Sequence, residues 1–125
     1  LRSLDALLGQ SDVVTLHVDG RAENAALIGR EQLGRMKPGA ILLNLSRGHV
    51  VDVEALAEAL ASGHLGGAAV DVFPEEPITN SSGFLSSLQG LPNVILTPHI
   101  GGSTEEAQEA IAEFAAERLL GFVNR

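Results

Sequence analysis

Apolar residues along the chain alternate between short continuous runs and stretches where they recur at helical spacing. Leu4, Leu7 and Leu8 share one helical face, and Ser11-Asp12 then leads into Val13-Val14-Thr15-Leu16-His17-Val18, a β-branched run with the composition of a buried strand. Glu31 to Met36 predicts a short helix stopped by Lys37-Pro38-Gly39, and Ala40 to Asn44 predicts a second strand. Asp52 is placed to cap a helix through Val53, Leu56, Ala57 and Leu60, with Gly63 placed to end it. Leu65 to Phe73 predicts a third strand and Asn93 to Thr97 a fourth, stopped by Pro98. Pro74 to Leu91 reads as a loop, rich in Ser and Gly from Thr79 to Gly90. Ser103 with Glu106 forms a capping-box pattern. It opens a long amphipathic helix with Ala107, Ile111, Phe114, Leu119 and Val123 among its apolar positions.

The strand runs are continuously apolar rather than alternating, which suits strands covered on both faces, as in a parallel sheet between helical layers. Strands alternating with helices predict a right-handed parallel α/β sheet. Four strands amount to about half to two-thirds of a doubly wound domain, so the expected class is α/β, a partial doubly wound parallel sheet. No internal repeat or low-complexity segment interrupts residues 1–125, and 125 residues suffice for one unit. The chain starts at Leu1, inside a helical pattern, and the expectation is a fragment of a longer protein.

Composition narrows the function classes. With 45% hydrophobic residues, four Phe and no Trp or Tyr, the core must be built from Leu, Val, Ile and Ala. Eight Lys and Arg against sixteen Asp and Glu give a net charge of −8, which argues against nucleic acid or an anionic membrane as partner. The absence of cysteine removes disulfides, thiolate zinc sites and thiol nucleophiles, and is compatible with a reducing cytoplasm, the expected location. No apolar run reaches the roughly 20 residues of a membrane span, and the N-terminus lacks a signal-peptide pattern.

Neither GxGxxG nor GxxxxGK[ST] occurs, so the chain holds no recognisable phosphate cradle; Gly66-Gly67 and Gly101-Gly102 do not substitute by spacing. Asn44-Leu45-Ser46-Arg47-Gly48 puts an arginine after a strand, at the carboxyl edge where ligands gather in open α/β sheets. A guanidinium there suits a carboxylate; a plain surface arginine is the alternative. Glu75-Glu76 follows the third strand and His99 the fourth. A carboxylate bonded to an imidazole orients the ring and favours its charged form, as a proton-transferring histidine needs. Solvated glutamates and a structural histidine are the alternatives. Three complementary residues after three successive strands are more informative together, because such positions converge on one crevice. His17 ends a strand near the same edge, whereas His49 and His64 read as solvated or capping residues. No histidine pair has metal-ligand spacing, so no metal is expected, and no Gly-x-Ser-x-Gly elbow is present.

Four ordered segments carry a family resemblance: Ser11 to Val18, Lys37-Pro38-Gly39-Ala40 through Gly48, Gly67 through Pro77, and Asn93 through Gly102. Together they resemble the D-isomer-specific 2-hydroxyacid dehydrogenases over nearly the whole chain. Ser103 to Gln108 and the loop Thr79-Asn80-Ser81 look most like the phosphoglycerate-oxidising branch of that family. The resemblance implies the second half of a Rossmann-type NAD-binding domain, with the glycine-rich loop and the substrate domain outside this sequence. It implies a catalytic set of Arg47, Glu76 and His99, and NAD contacts from Leu45, Ser46, Arg47, Asp71, His99, Ile100, Gly101 and Gly102. The implied substrate is a small 2-hydroxy or 2-keto acid, and the implied assembly a homodimer paired through this domain. A dinucleotide-sensing corepressor of the same fold, or an assembly surface, are the alternatives. Asp19 departs from the pattern, standing where the family usually has proline after the His-Val pair.

Overall fold

The computed structural model describes residues 3–77 and 83–124; the Thr79-Asn80-Ser81 loop singled out above lies outside them. The elements are α1 (Leu4–Leu8), β1 (Val13–Leu16), α2 (Arg30–Arg35), β2 (Ile41–Asn44), α3 (Val53–Ala61), β3 (Gly67–Val70), β4 (Val94–Leu96) and α4 (Glu105–Val123), with short 3-10 turns at Ala22–Asn24 and Gly48–Val50. The strands form one sheet in the order β1-β2-β3-β4, all parallel. Each strand is shorter than its apolar run because ladder pairing, not composition, ends it.

Register explains which residues make the core. Val14, Leu42, Ala68 and Val94 lie in one row across the sheet, and Leu16, Asn44, Val70 and Leu96 in another. Both rows face α1, α2 and α3, whose Leu8, Leu33, Ala55, Leu56 and Leu60 share a single buried cluster with the strand residues. The intervening rows, Val13-Ile41-Gly67 and Thr15-Leu43-Ala69-Ile95, point the other way. Leu42 is 0% exposed while Ile95 is 66% exposed. The helical cover expected on both faces is therefore present on one face among the described residues. The physical reason is handedness: right-handed crossovers that step in one direction across a sheet lay their helices on the same side.

The helix of residues 53–61 starts and stops as its sequence predicts, with the Asp52 carboxylate accepting from the Ala55 N–H at 3.0 Å. The start of α4 differs. Thr104, not Ser103, caps it, its hydroxyl accepting from the Ala107 N–H at 3.2 Å, because the Ser103 N–H closes a preceding turn onto the Ile100 carbonyl at 2.9 Å. Nor does α4 bury an apolar stripe: Ile111, Phe114, Leu119 and Val123 are all exposed. Ion pairs link neighbouring helices, Asp5 to Arg35 between α1 and α2 and Arg30 to Glu58 between α2 and α3; being exposed, they add little stability. No described helix is long and apolar enough to cross a membrane.

The one-sided core sets an asymmetry that denaturant unfolding of the chain checks. Leu42→Ala is expected to cost about 2–5 kcal/mol, whereas Ile95→Ala, on the uncovered face, should stay within about 0.5 kcal/mol. Equal costs would contradict this assignment of faces.

Candidate active site

The carboxyl edge of the sheet is organised by a buried asparagine at the end of β2. The Asn44 side-chain oxygen accepts from the Ser46 N–H at 3.2 Å and the Ser46 hydroxyl at 3.0 Å, and its amide donates to the Arg47 carbonyl at 3.1 Å. These bonds fold the chain into a tight turn. Ser46 is buried inside it, Leu45 and Arg47 face solvent, and the Asn44 carbonyl accepts from the Asp71 N–H at 3.1 Å. Gly48 then presses against the next segment. A Cβ placed there would lie 2.0 Å from the Phe73 carbonyl carbon and 2.4 Å from the Pro74 nitrogen, so only glycine fits.

Asp71, just beyond β3, reaches across to the segment after β4. One carboxylate oxygen accepts from the Thr97 hydroxyl at 2.5 Å and from the His99 N–H at 3.0 Å. His99 has φ +54°, a left-handed conformation that costs energy for any residue with a side chain. Its surroundings over-determine it: Asp71 holds the backbone, and Nδ1 of the ring lies 3.0 and 2.9 Å from the two carboxylate oxygens of Glu76. Glu76 is itself anchored, accepting from the Phe73 N–H at 3.1 Å.

An ionised carboxylate only accepts, so the proton between them sits on Nδ1, and in the neutral ring Nε2 is left with a free lone pair. Partial burial pushes the Glu76 carboxyl upward, but the His99 hydrogen bond, the Phe73 N–H and the imidazole's charge outweigh it and hold Glu76 below its ordinary 4.5. The two side chains are 42% and 39% exposed, so the pair is open to a ligand. It faces a cavity of about 580 Å³ whose walls include Thr97, Pro98, Ile100, Phe73 and Phe84. The two phenylalanines meet edge to face, with ring centres 4.7 Å apart. A hydrogen-bonded acid–base pair at the mouth of a partly apolar cavity can move a proton to or from a small polar molecule.

Of the sequence-predicted residues, Glu76 and His99 are in direct contact and Asp71 is joined to His99 through its backbone. Arg47 makes no ion pair among the described residues and does not line that cavity; its guanidinium donates to the Ser46 carbonyl, and the adjacent Gly48 packs against Phe73 and Pro74 of the segment that leads to Glu76. Ile100, Gly101 and Gly102 form an exposed turn after His99, and no atom lies within 4 Å of a Cβ built at either glycine. His17 bonds to the Thr15 hydroxyl at 3.1 Å, His49 is exposed, and His64 ties to the Leu33 carbonyl at 3.0 Å, a structural link to α2. No described group of three or more His, Asp or Glu could hold a metal ion. Sequence reasoning passed over Asn44 and Thr97. A polar residue ending an apolar strand was the available signal for the first; the second had none, because its partner is 26 residues away.

Comparisons with known proteins identify the family of the chain. Residues 1–101 match the family described as D-isomer specific 2-hydroxyacid dehydrogenase, NAD binding domain. The chain is 54% identical to D-3-phosphoglycerate dehydrogenase of Dictyostelium discoideum, a match spanning 97% of this chain and 30% of that protein. Among solved structures, the TT0316 protein from Thermus thermophilus superposes with a TM-score of 0.78 at 46% identity, covering 98% of this chain and 38% of the other. D-lactate dehydrogenase from Aquifex aeolicus, complexed with NAD and lactic acid, does so with a TM-score of 0.78 at 36% identity, covering 98% and 40%. This chain thus spans about 30% of the length of the curated relatives it matches. With a family match over residues 1–101 and solved structures that share its parallel sheet, the chain belongs to the D-isomer specific 2-hydroxyacid dehydrogenase family, within its NAD-binding domain.

Proposed function

We propose that this chain is the catalytic half of the nucleotide-binding domain of a cytoplasmic, NAD-dependent oxidoreductase that oxidises a D-2-hydroxy acid, with D-3-phosphoglycerate going to 3-phosphohydroxypyruvate as the reaction. The observation that carries this reading is the contact of Glu76 with His99 Nδ1 at 2.9 Å, which leaves Nε2 as the base. His99 takes the substrate hydroxyl proton at Nε2 in oxidation and returns it in reduction. Glu76 fixes the orientation and tautomer of the ring. Arg47 binds the substrate carboxylate or carbonyl oxygen, orienting the acid and stabilising negative charge on oxygen.

The residues present fit a nicotinamide. Asp71 keeps one carboxylate oxygen without a partner among the described residues, suited to a carboxamide NH₂, and the open Gly101-Gly102 turn leaves room beside it. Leu45, Ser46, Arg47, Asp71, His99, Ile100, Gly101 and Gly102 would hold that end of the cofactor. Leu45 and Ile100 would offer exposed apolar surface, and the buried Ser46 its carbonyl, which keeps a second lone pair beside the Arg47 bond. NAD, when bound, supplies the hydride acceptor. The reading extends to a homodimer paired through this domain, for which the uncovered sheet face and exposed α4 supply surface.

A panel of D-2-hydroxy acids offered to the product of the complete reading frame, followed by NADH absorbance, tests the function; no turnover on any of them would refute it. Glu76→Gln is expected to lower kcat/KM roughly 10²-fold, since an amide neither fixes the tautomer nor carries the compensating charge. Its pH signature follows from the lowered carboxyl. The stability advantage over Glu76→Gln is present above the ordinary value of 4.5 and is lost as pH falls through the lower folded-state value. Unfolding both proteins across acid pH measures it.

A further inference from the structure

We infer that Arg21 is a positioning residue: by clasping the carboxylate of Asp19 it keeps that carboxylate from pairing with Arg47, and so leaves the Arg47 guanidinium to a substrate anion. The inference rests on the role proposed for Arg47. β1 and β2 are parallel with Leu16 beside Asn44, so the segments leaving their carboxyl ends run side by side and bring Asp19 and Gly20 next to Arg47. The approach is close. A Cβ at Gly20 would lie 3.3 Å from Cγ of Arg47 and 3.5 Å from both Cδ and Nε, so the arginine stem rests on the backbone beside Asp19.

An exposed guanidinium with a carboxylate in reach ordinarily forms a two-point pair, occupying the same fork of donors that would take a substrate carboxylate. Here both oxygens of Asp19 are used elsewhere. Arg21 Nε donates to them at 2.9 and 3.0 Å and its terminal nitrogen donates at 2.5 Å. The Asn24 amide adds bonds of 2.9 Å to the carboxylate and 3.0 Å to the Asp19 carbonyl. Arg47 is left donating to its own neighbour, the Ser46 carbonyl, at 2.6 Å. The clasp is a poor stability device, because its side chains are 66% and 56% exposed and such pairs contribute little. Its effect on the guanidinium is larger: Arg21 cancels a negative charge that stands beside it. The Arg47 charge also helps hold the Asp19 carboxyl below its ordinary range, after the larger effect of the Arg21 hydrogen bonds, so Asp19 stays an anion that has to be occupied.

The test uses the product of the complete reading frame, as Arg21→Ala, Asp19→Asn and the double variant. Two readings are taken: KM and kcat for the 2-hydroxy acid turned over best, and calorimetric binding of oxamate, a non-reducible 2-keto acid analogue, in the presence of NADH. Arg21→Ala should raise KM and the oxamate Kd about three- to fivefold, the strength of an exposed ion pair, with kcat changed much less. Adding Asp19→Asn to Arg21→Ala should restore both, because the competing charge is gone. Unchanged values in Arg21→Ala would overturn the inference. A double variant as impaired as Arg21→Ala would also overturn it, assigning the clasp to loop folding alone. Arg47→Ala, measured alongside, separates the premise: if it leaves KM and oxamate binding intact, the reading of Arg47 fails and takes the inference with it.

Discussion

His99→Asn in the complete protein is expected to lower turnover of a 2-hydroxy acid by about 10²–10⁴-fold, the range that a positioned proton acceptor contributes. Asparagine is the informative replacement because the position has φ +54°, a conformation it adopts more readily than other residues with a side chain. The bond from its N–H to Asp71, 3.0 Å in the present structure, needs no side chain and should persist. The variant therefore removes the ring nitrogens while sparing the turn. Its unfolding midpoint should stay close to that of the parent while kcat collapses at saturating substrate. Steady-state NADH absorbance with a parallel urea titration measures both; a variant retaining more than a tenth of the parent's kcat would remove His99 from proton transfer.

Gly48→Ala should have the largest effect on the folded state, at about 3 kcal/mol or more, the upper end of overpacking costs. The atoms in the way are backbone: the Phe73 carbonyl carbon at 2.0 Å, its oxygen at 2.1 Å and the Pro74 nitrogen at 2.4 Å. No side chain can swing aside, so the Arg47 turn and the segment leading to Glu76 must separate. Activity should fall with stability, because both segments bear proposed site residues. Gly34→Ala is the control. It lies within α2, where nothing stands within 4 Å of an added Cβ, and alanine there should stabilise by about 0.5–1 kcal/mol. Chemical denaturation of both variants gives the comparison, and equal stabilities would refute the close approach at Gly48.

The strand and helix order was legible from the chain because it is a local property. Val13 to Leu16 and Ile41 to Asn44 are apolar enough to be strands in any context, Pro98 ends the run before it, and Asp52 caps the helix that follows it by bonding three residues ahead. The ordered motifs that contain Arg47, Glu76 and His99 were legible for the same reason, being short runs of particular residue types at particular spacings. Other features depended on distant parts of the chain. Composition could not tell the covered row of Val14 and Leu42 from the uncovered row of Val13 and Ile41, since all four are equally apolar and only register and crossover hand separate them. Nor could it show that α4 leaves Ile111 and Phe114 exposed, or that Ser103 is spent on a turn. The Asp71–Thr97 and Glu76–His99 bonds join residues 26 and 23 positions apart. Residue types set what each group can do, whereas the sheet decided which groups meet, because hydrogen bonds and packing act over a few ångströms of space whatever the separation along the chain.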